Sequence, residues 1–321
     1  MDFSLTDEQN DLLNSLNNTI RNFDDNYWLD CDNSSKYPKE FVDTMAKGGW
    51  LGIAMPTNYG GSNLGVTEAS LMMMLVAEKG GMTAASSIHM NIFGPSSIVK
   101  FASKKQKDSW LPNIINGQSK MCFAVTEPDT GLDTTRLKTK AVKNKGHYLL
   151  NGRKIWTSTA QITNKIMIIA RTSERNNKTP TEGLSLFYTD FNRDNIEARV
   201  INKMGRAAVD TNELFIDNLK VPIEDIIGEE GKGFSYLIHS LNPERILVAA
   251  EAYGIAKNAL ERAVKYANER IVFDRKIGKN QSIQHPLADA WAKLESLKLL
   301  ILKAATLYDN CLLYTSDAAD E

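Results

Sequence analysis

Apolar residues recur every three to four positions in the first third of the chain, which is the spacing of amphipathic helices. Thr6 and Gln9 have the spacing of a capping box, in which each side chain bonds the other residue's backbone N–H. The apolar positions that follow are Leu12, Leu13, Leu16, Ile20 and Phe23. The run at 69–79 contains three consecutive methionines and predicts a buried helix rather than a methionine ligand site. We therefore expect residues 1–118 to form an α-helical N-terminal domain.

The pattern shortens from residue 120 onwards to apolar runs separated by polar turns. Asn151-Gly152 lies between two such runs and predicts a β-hairpin, because Asn-Gly tolerates the positive φ of a type I′ turn. The runs at 213–216 and 219–221 predict a last pair of strands that ends at Pro222. Residues 119–229 are therefore expected to form a middle β-barrel or sandwich domain.

Helical spacing resumes after Gly231-Lys232-Gly233, with two long apolar faces. The first face contains Ile246, Ala249, Ala250, Tyr253, Ala256, Leu260, Ala263 and Ala267. The second contains Ile283, Leu287, Trp291, Leu294, Ile301, Ala304 and Tyr308. Such bundles usually have four helices, so 230–311 predicts a partial C-terminal bundle in a C-terminally truncated chain. Residues 312–321 lose the helical pattern and are predicted to be a non-native tail. The fold class predicted is α+β and multidomain.

Composition narrows the function classes. The 321 residues include 38 basic and 39 acidic ones, so the formal charge of −1 argues against a general nucleic-acid or membrane-surface binder. No apolar run approaches the ~18–20 residues of a membrane span. The N-terminus lacks the layout of a signal or transit peptide, so we expect either a soluble compartment or a missing presequence. The compartments expected are the cytoplasm and the mitochondrial matrix. Three scattered cysteines favour a reducing compartment, and their spacing from the histidines predicts no metal site.

Two segments of the β region could surround a planar ligand. Residues 123–131 end a strand at the hydroxyl of Thr126, followed by an acid–proline turn whose N–H groups could serve a ring carbonyl or a phosphate. Trp156 precedes three hydroxyl residues, Thr157, Ser158 and Thr159, which could form a wall and hydrogen-bond partners for a ring. An ordinary strand end and a core tryptophan with surface hydroxyls remain the alternative interpretations.

Two charged segments interrupt the C-terminal helices. Asn242 as N-cap and Pro243 at the first helical position predict a helix start, with Glu244 in its first turn. Alternatively, Glu244 beside an apolar cavity would have its pKa raised by desolvation and act as a general base on a weakly acidic C–H. The cations of 269–276 fit either a helix C-terminus or a pyrophosphate clamp. The glycine-rich run 228–233 has neither Walker nor Rossmann spacing and predicts a flexible connection.

Five of these segments together resemble the acyl-CoA dehydrogenase family of flavoproteins. In chain order they are 123–128, 151–158, 203–205, 227–234 and 270–281, and the resemblance extends from Met1 to about Tyr308. The resemblance implies a helical domain, a β domain and a four-helix domain, with FAD between the last two and partly across a subunit interface. It also implies a homo-oligomer, a dimer or tetramer in the full-length form.

The resemblance assigns roles to individual residues. Those implied to line the flavin are Phe123, Val125, Thr126, Trp156, Thr157 and Ser158. Arg270 and Gln281 are implied to reach the FAD of a neighbouring subunit, and Asn242 and Arg245 to contact the acyl-CoA. Two positions depart from the family pattern. Leu132 stands where many members have a serine that touches cofactor or substrate, and Asp274 stands where glycine is common.

The reaction implied is α,β-desaturation of an acyl-CoA thioester in fatty acid β-oxidation, with an electron-transfer flavoprotein as electron acceptor. A carboxylate removes the α-proton while the β-hydrogen leaves as hydride to the flavin. Many members have this base on a late helix. Others, such as the isovaleryl- and long-chain-type enzymes, have it at the position of Glu244, and the Asn-Pro-Glu-Arg sequence resembles these. Glu244 is therefore the predicted base. A flavoprotein oxidase of the same fold and a non-catalytic fragment are the alternatives.

Overall fold

The computed structural model describes residues 3–311, which form two compact units. The helical unit comprises the chain up to Trp28, the segment Leu64–Ala85 and the chain from Arg245 onwards. The sheet unit comprises Leu29–Asn63 and Ser86–Glu244. The predicted tail 312–321 lies outside the described residues.

The N-terminal region is helical, as the apolar spacing predicts. The bounds of the helices are α1 Asp7–Ile20, α2 Asp25–Asn33, α3 Lys39–Lys47, α4 Val66–Phe93, α5 Ser96–Phe101, α6 Lys104–Ile115, α7 Gly233–Glu269 and α8 Gln281–Asp309. The capping box of Thr6 and Gln9 is confirmed at the start of α1. The three consecutive methionines are buried in α4, as predicted. No helix within residues 3–311 combines the length and apolarity needed to cross a membrane.

The strands of the sheet unit form one mixed sheet. Their bounds are β1 Met121–Ala124, β2 Lys140–Asn144, β3 His147–Ser158, β4 Lys165–Arg171, β5 Leu184–Asp190, β6 Ile196–Val200, β7 Thr211–Pro222 and β8 Ile226–Ile227. The order is β6-β7-β3-β2-β4-β5-β8, and β1 pairs parallel to β4. A β domain between helical regions is thereby confirmed. Because the order has two ends among the described strands, the sheet is not a closed barrel.

Both faces of the sheet are covered by apolar side chains. Met167 and Ile169 of β4 belong to one core cluster, together with Leu111 of α6 and Leu237 of α7. The residues that alternate with them, Ile166, Ile168 and Ala170, belong to the second cluster with Leu150 and Leu219. A strand buried on both faces reads as a continuous apolar run, which is the pattern of β4.

The hairpin predicted at Asn151-Gly152 is wrong, because β3 runs straight through these residues. The pairing of β3 with β7 shifts register between Leu150 and Gly152, so Asn-Gly forms a bulge rather than a turn. A Cβ on Gly152 would lie 2.4 Å from the Thr139 hydroxyl oxygen, so close packing requires glycine there. The turn between β2 and β3 has Gly146 instead, at φ +83°. Likewise, the predicted last strand pair is the single strand β7.

The helix start predicted at Asn242 and Pro243 is also wrong. Helix α7 begins at Gly233 and contains Pro243 in its interior. Proline has no N–H and forfeits one helical hydrogen bond, so packing must hold the helix together here. One turn earlier, Ser240 is fully buried and its hydroxyl lies within hydrogen-bond distance of the Ser97 hydroxyl and the Gly94 carbonyl. These contacts keep the chain helical across a residue that often starts a helix.

The helical unit is held by contacts between α4, α7 and α8. The Asp309 carboxylate near the end of α8 accepts hydrogen bonds from the N–H groups of Val66 and Thr67, at 2.7 and 2.9 Å, and so caps α4. Glu78 of α4 pairs with Lys257 of α7 at 2.7 Å. Two further helical-unit strands, β9 Ile271–Val272 and β10 Arg275–Lys276, form a hairpin between α7 and α8.

The apolar face predicted for α8 is buried in part. Leu294 and Ile301 are buried, whereas the side chain of Trp291 is exposed.

Candidate functional site

The end of β1 and the middle of β3 lie side by side, which brings together the two segments predicted to surround a ring. The Ile155 N–H donates to the Thr126 carbonyl over 2.9 Å. Phe123, Val125 and Thr126 are half-buried, and Trp156 follows Ile155 directly. We call the surface formed by these residues and by Thr157 and Ser158 the β1–β3 groove.

Strand β3 is irregular at this groove. Its register with β7 shifts between Lys154 and Thr157, and Trp156 has φ +63°. A non-glycine residue in this region is uncommon and costs of order 1–3 kcal/mol, which the surrounding structure must supply. The distortion turns the Trp156 indole outward, where 61% of the residue is exposed. Such outliers cluster at functional sites, so the bulge marks the groove as a candidate site.

The hydroxyl of Thr157, the residue after Trp156, is buried and has no hydrogen-bond partner among the residues that the structure describes. The backbone of Thr157 is fixed, since its carbonyl accepts a 3.0 Å hydrogen bond from the Asn212 side-chain amide. An unpaired buried hydroxyl costs about 1–3 kcal/mol, and a ligand atom could remove that cost. Together with the exposed indole of Trp156 and the hydroxyl of Ser158, this hydroxyl gives the segment the groups that a flat ring with polar atoms along one edge would use. The flavin ring of FAD is a flat ring of this chemistry.

A buried ion pair lies at the base of the groove. Lys154 is fully buried, and its Nζ donates to the Val125 carbonyl over 2.8 Å and to Oε1 of Glu127 over 3.1 Å. Glu127 also accepts hydrogen bonds from the N–H of Lys138 and from the N–H and hydroxyl of Thr139, at 2.7, 2.9 and 2.6 Å.

Burial opposes ionisation of both partners of this pair. The Lys154 charge and the hydrogen bonds outweigh that effect for Glu127, whose pKa is below its usual value. Burial lowers the pKa of Lys154 to about 8, against the opposing influence of the Glu127 charge.

Glu244 of α7 also belongs to the sheet unit and lies against α4. Its Oε1 is 4.0 Å from Nε2 of His89, and the two side chains are 30% and 8% exposed. The His89 ring centroid is 4.8 Å from that of Phe93, and Phe93 is 5.2 Å from Phe123 of β1. A continuous row of ring contacts therefore connects the predicted base with the predicted flavin-lining strand.

Five further residues were predicted for the site from the sequence. Asn242 is half-buried on α7, five residues after the core residue Leu237, and Leu132 is fully exposed on the loop after β1. Arg245, Arg270 and Gln281 belong to the helical unit and are exposed. The roles assigned to these residues stay predictions.

Sequence reasoning missed Lys154 and His89 as parts of the site. Tyr148, Leu150 and Lys154 all fall on the inward phase of β3, so a lysine at an inward position was a usable signal. The segment around Glu127 was predicted to act through its backbone N–H groups, and the Glu127 carboxylate was not considered. His89 has no comparable signal, because a lone histidine in an apolar helix is usually a core residue.

Comparison with known families identifies the fold. Models of the N-terminal, middle and C-terminal domains of acyl-CoA dehydrogenases match residues 6–118, 122–219 and 231–318, which is most of the chain. The chain belongs to the acyl-CoA dehydrogenase family. The domain boundaries drawn from the sequence at 118/119 and 229/230 stay predictions.

Individual relatives support the assignment to the acyl-CoA dehydrogenase family. Acyl-CoA dehydrogenase fadE12 of Mycobacterium bovis is 32% identical, over 96% of this chain and 79% of that protein. The caffeyl-CoA reductase–Etf complex subunit CarC of Acetobacterium woodii is 34% identical, over 87% of this chain and 73% of that protein. The structure of an FAD complex of PigA superimposes with a TM-score of 0.89 at 25% identity, covering 97% of this chain and 81% of that chain.

Proposed function

We propose that this member of the acyl-CoA dehydrogenase family is an FAD-dependent enzyme that introduces an α,β double bond into an acyl-CoA thioester. The observation that carries the proposal is the row of contacts from Glu244 through His89 and Phe93 to Phe123. It connects a carboxylate with a groove suited to a flavin ring, within one compact unit. The names of fadE12 and CarC and the FAD complex of PigA support the same reaction class and cofactor.

The β1–β3 groove would hold the flavin ring of FAD. Trp156 offers an exposed aromatic face, and Thr157 offers a buried hydroxyl that gains a partner when a ring edge lies against it. Bound FAD supplies the acceptor for the hydride that leaves the β-carbon. Arg270 and Gln281 are proposed to reach the FAD of a neighbouring copy, which makes the active form a homo-oligomer.

Glu244 is proposed as the base that takes the α-proton onto a carboxylate oxygen. His89 lies beside that carboxylate, and its ring contacts Phe93, which in turn contacts Phe123. Since Glu244 keeps 30% of its side chain exposed, substrate can reach it without a change in the helix.

The acyl-CoA is proposed to contact Asn242, Arg245 and Leu132. The electron acceptor is proposed to be an electron-transfer flavoprotein, a partner of the kind in CarC's printed name. The dehydrogenase and reductase names of the two relatives favour this acceptor over oxygen, and hence a dehydrogenase over an oxidase. A location in the cytoplasm or the mitochondrial matrix stays a prediction.

The test is anaerobic reduction of FAD in the purified protein by saturated acyl-CoA thioesters of several chain lengths. We expect acyl-CoA to bleach the flavin absorbance, and Glu244→Gln to slow the bleaching by about 10²–10⁴-fold while FAD still binds. The matched control is Glu261→Gln, an exposed carboxylate on the same helix, which should bleach at the original rate.

Three outcomes would contradict parts of the proposal. Near-normal bleaching in Glu244→Gln would refute its role as base. Reduced flavin that reacts faster with oxygen than with an electron-transfer flavoprotein would favour the oxidase. A protein that does not bind FAD at all would favour the non-catalytic alternative.

A further inference from the structure

The buried pair of Lys154 and Glu127 has an arrangement that packing alone does not require. Lys154 extends from β3 to the Val125 carbonyl, and Glu127 begins a tight turn in which its N–H and carbonyl pair with those of Thr130. The carboxylate of Glu127 is fixed by Lys138 and Thr139 ahead of β2. The positive end of the pair is therefore at Val125, beside the groove, and the negative end is at Thr139.

Burying two charges is expensive, and replacing a buried ion pair by apolar side chains of similar size is often neutral or stabilising. The donors of Lys138 and Thr139 require an acceptor at residue 127, which an uncharged side chain could also supply, but the fold does not require a cation at residue 154. What only the pair supplies is a fixed cation with a donor on the Val125 carbonyl. This cation lies one peptide from Thr126, whose carbonyl holds the Ile155–Trp156 segment in place.

We propose that Lys154 is a positioning residue for FAD, whose buried ammonium fixes the Val125–Thr126 peptide and shifts the bound flavin towards its reduced state. The inference rests on the proposed FAD site in the β1–β3 groove. A reduced flavin holds two more electrons than an oxidised one, so a nearby cation in a poorly solvated site stabilises it. Glu127 opposes this effect and keeps the lysine charged.

The charge on Lys154 can be removed under mild conditions, since burial brings its pKa to about 8. The other charged groups around the pair either keep their charge or are screened by solvent. Arg171 of β4 donates to the carbonyls of Thr135 and Leu137 and stays charged. Lys138 pairs with Asp129 at 3.5 Å in an exposed position, where solvent screens it.

Two single substitutions separate an electrostatic role from a purely structural one. Lys154→Met removes the cation, and we expect the equilibrium of the bound flavin to move about tenfold towards the oxidised form, or about 30 mV for a two-electron couple. Glu127→Gln removes the opposing anion and, with it, the influence that raises the pKa of Lys154. Measured at a pH low enough to keep Lys154 protonated in this variant, the equilibrium should move the other way. The matched control, Lys140→Met, removes an exposed lysine paired with Glu174 and should leave the potential unchanged.

The directions in which the flavin potential shifts in the two variants distinguish an electrostatic role from a structural one. A pair that only holds the fold together would give shifts of the same sign in both variants, or none, and either result would overturn the proposal. If the single variants unfold, the double variant Lys154→Met/Glu127→Gln removes the uncompensated charge and should restore folding. Its flavin should then be harder to reduce than that of the original protein, and an unchanged potential would refute the idea.

The unsubstituted protein provides an independent measurement. The absorption spectrum of bound, oxidised FAD should change with a midpoint near pH 8 as Lys154 loses its proton, with free FAD titrated in parallel as the reference. A spectrum that stays constant from neutral to clearly alkaline pH would contradict the proposal. If the protein does not bind FAD, the proposed function fails; if FAD binds and these shifts are absent, only this inference fails.

Discussion

The buried hydroxyl of Thr157 has no hydrogen-bond partner in the part of the chain that the structure describes. A buried polar atom without a hydrogen bond destabilises a fold, and structures keep such atoms where something else requires them. The strand cannot turn this side chain outward, because Asn212 holds the Thr157 carbonyl and the next residue, Ser158, is again paired with β7. The apoprotein therefore carries a cost that a bound ring edge would relieve.

Replacing this hydroxyl by a methyl group should affect stability and cofactor binding in opposite directions. In Thr157→Val we expect the free energy of unfolding of the apoprotein to rise by about 1 kcal/mol, because the unpaired group is gone. FAD should bind more weakly, by a similar amount. Denaturant titration of the apoprotein and quenching of FAD fluorescence measure the two effects.

Thr163→Val is the control for that substitution. The Thr163 hydroxyl is also buried, but it is hydrogen-bonded to the Lys120 and Lys165 carbonyls, so its loss should lower stability by about 1 kcal/mol. If both variants lost stability equally, the Thr157 hydroxyl would already have a partner in the apoprotein.

At the scale of elements, the β9–β10 hairpin has a two-residue turn of Phe273 and Asp274, both with positive φ, at +49° and +57°. Two positive φ values are the pattern of a type I′ turn, where Asn-Gly is the preferred sequence. The family's preference for glycine at the second position, which Asp274 replaces, therefore has a backbone explanation.

Asp274→Gly should relieve this strain. We expect the free energy of unfolding to rise by about 0.5–1 kcal/mol, since glycine adopts a left-handed conformation without a Cβ clash. Asp274→Ala is the comparison. Alanine has the same Cβ clash in a left-handed conformation but lacks the local hydrogen bonding available to aspartate, so this variant should be less stable than the original protein. Thermal unfolding of the three proteins ranks them. A glycine variant no more stable than the alanine variant would show that the turn is unstrained.

The structures of β3 and α7 were predicted wrongly at one point each, because contacts with distant residues determine the backbone conformation there. Asn151-Gly152 has the chemistry of a hairpin turn, but the contact of Gly152 with Thr139 places it in a bulge in mid-strand. Asn242-Pro243 has the chemistry of a helix start, but contacts of the preceding turn keep α7 continuous. In both cases the residues suit two backbone conformations, and distant neighbours choose between them.

At the scale of the whole molecule, FAD binding should be coupled to folding. The groove is built from β1, β3 and the loop between β1 and β2, so the unfolded chain has no equivalent site. A ligand that binds only the folded state at one hundred times its dissociation constant adds about 2.7 kcal/mol to the unfolding free energy.

Unfolding should accordingly require a higher temperature in the presence of FAD. We expect the transition midpoint to rise by a few degrees with excess FAD and to rise further with FAD concentration. Adenosine diphosphate, which lacks the flavin ring, is the control and should give a smaller shift. Equal shifts from both compounds would place the binding energy outside the β1–β3 groove.

The order of helical, β and helical regions could be predicted from the sequence, because it depends on the period of apolar positions, and each period is a local property of the chain. The buried methionines of α4 and the capping box of α1 follow from local sequence for the same reason. The resemblance of five ordered segments sufficed to name the family.

Only the tertiary structure revealed the pairing of Lys154 with Glu127 and the position of His89 beside Glu244. The same holds for the Thr157 hydroxyl, which has no hydrogen-bond partner within residues 3–311. Each depends on side chains from segments that are distant in the chain, or on a strand bulge that no local pattern marks. Local spacing determines which face of an element is apolar. The charge and hydrogen-bond partners of a buried polar group depend on what folds against that face, which a single sequence does not specify.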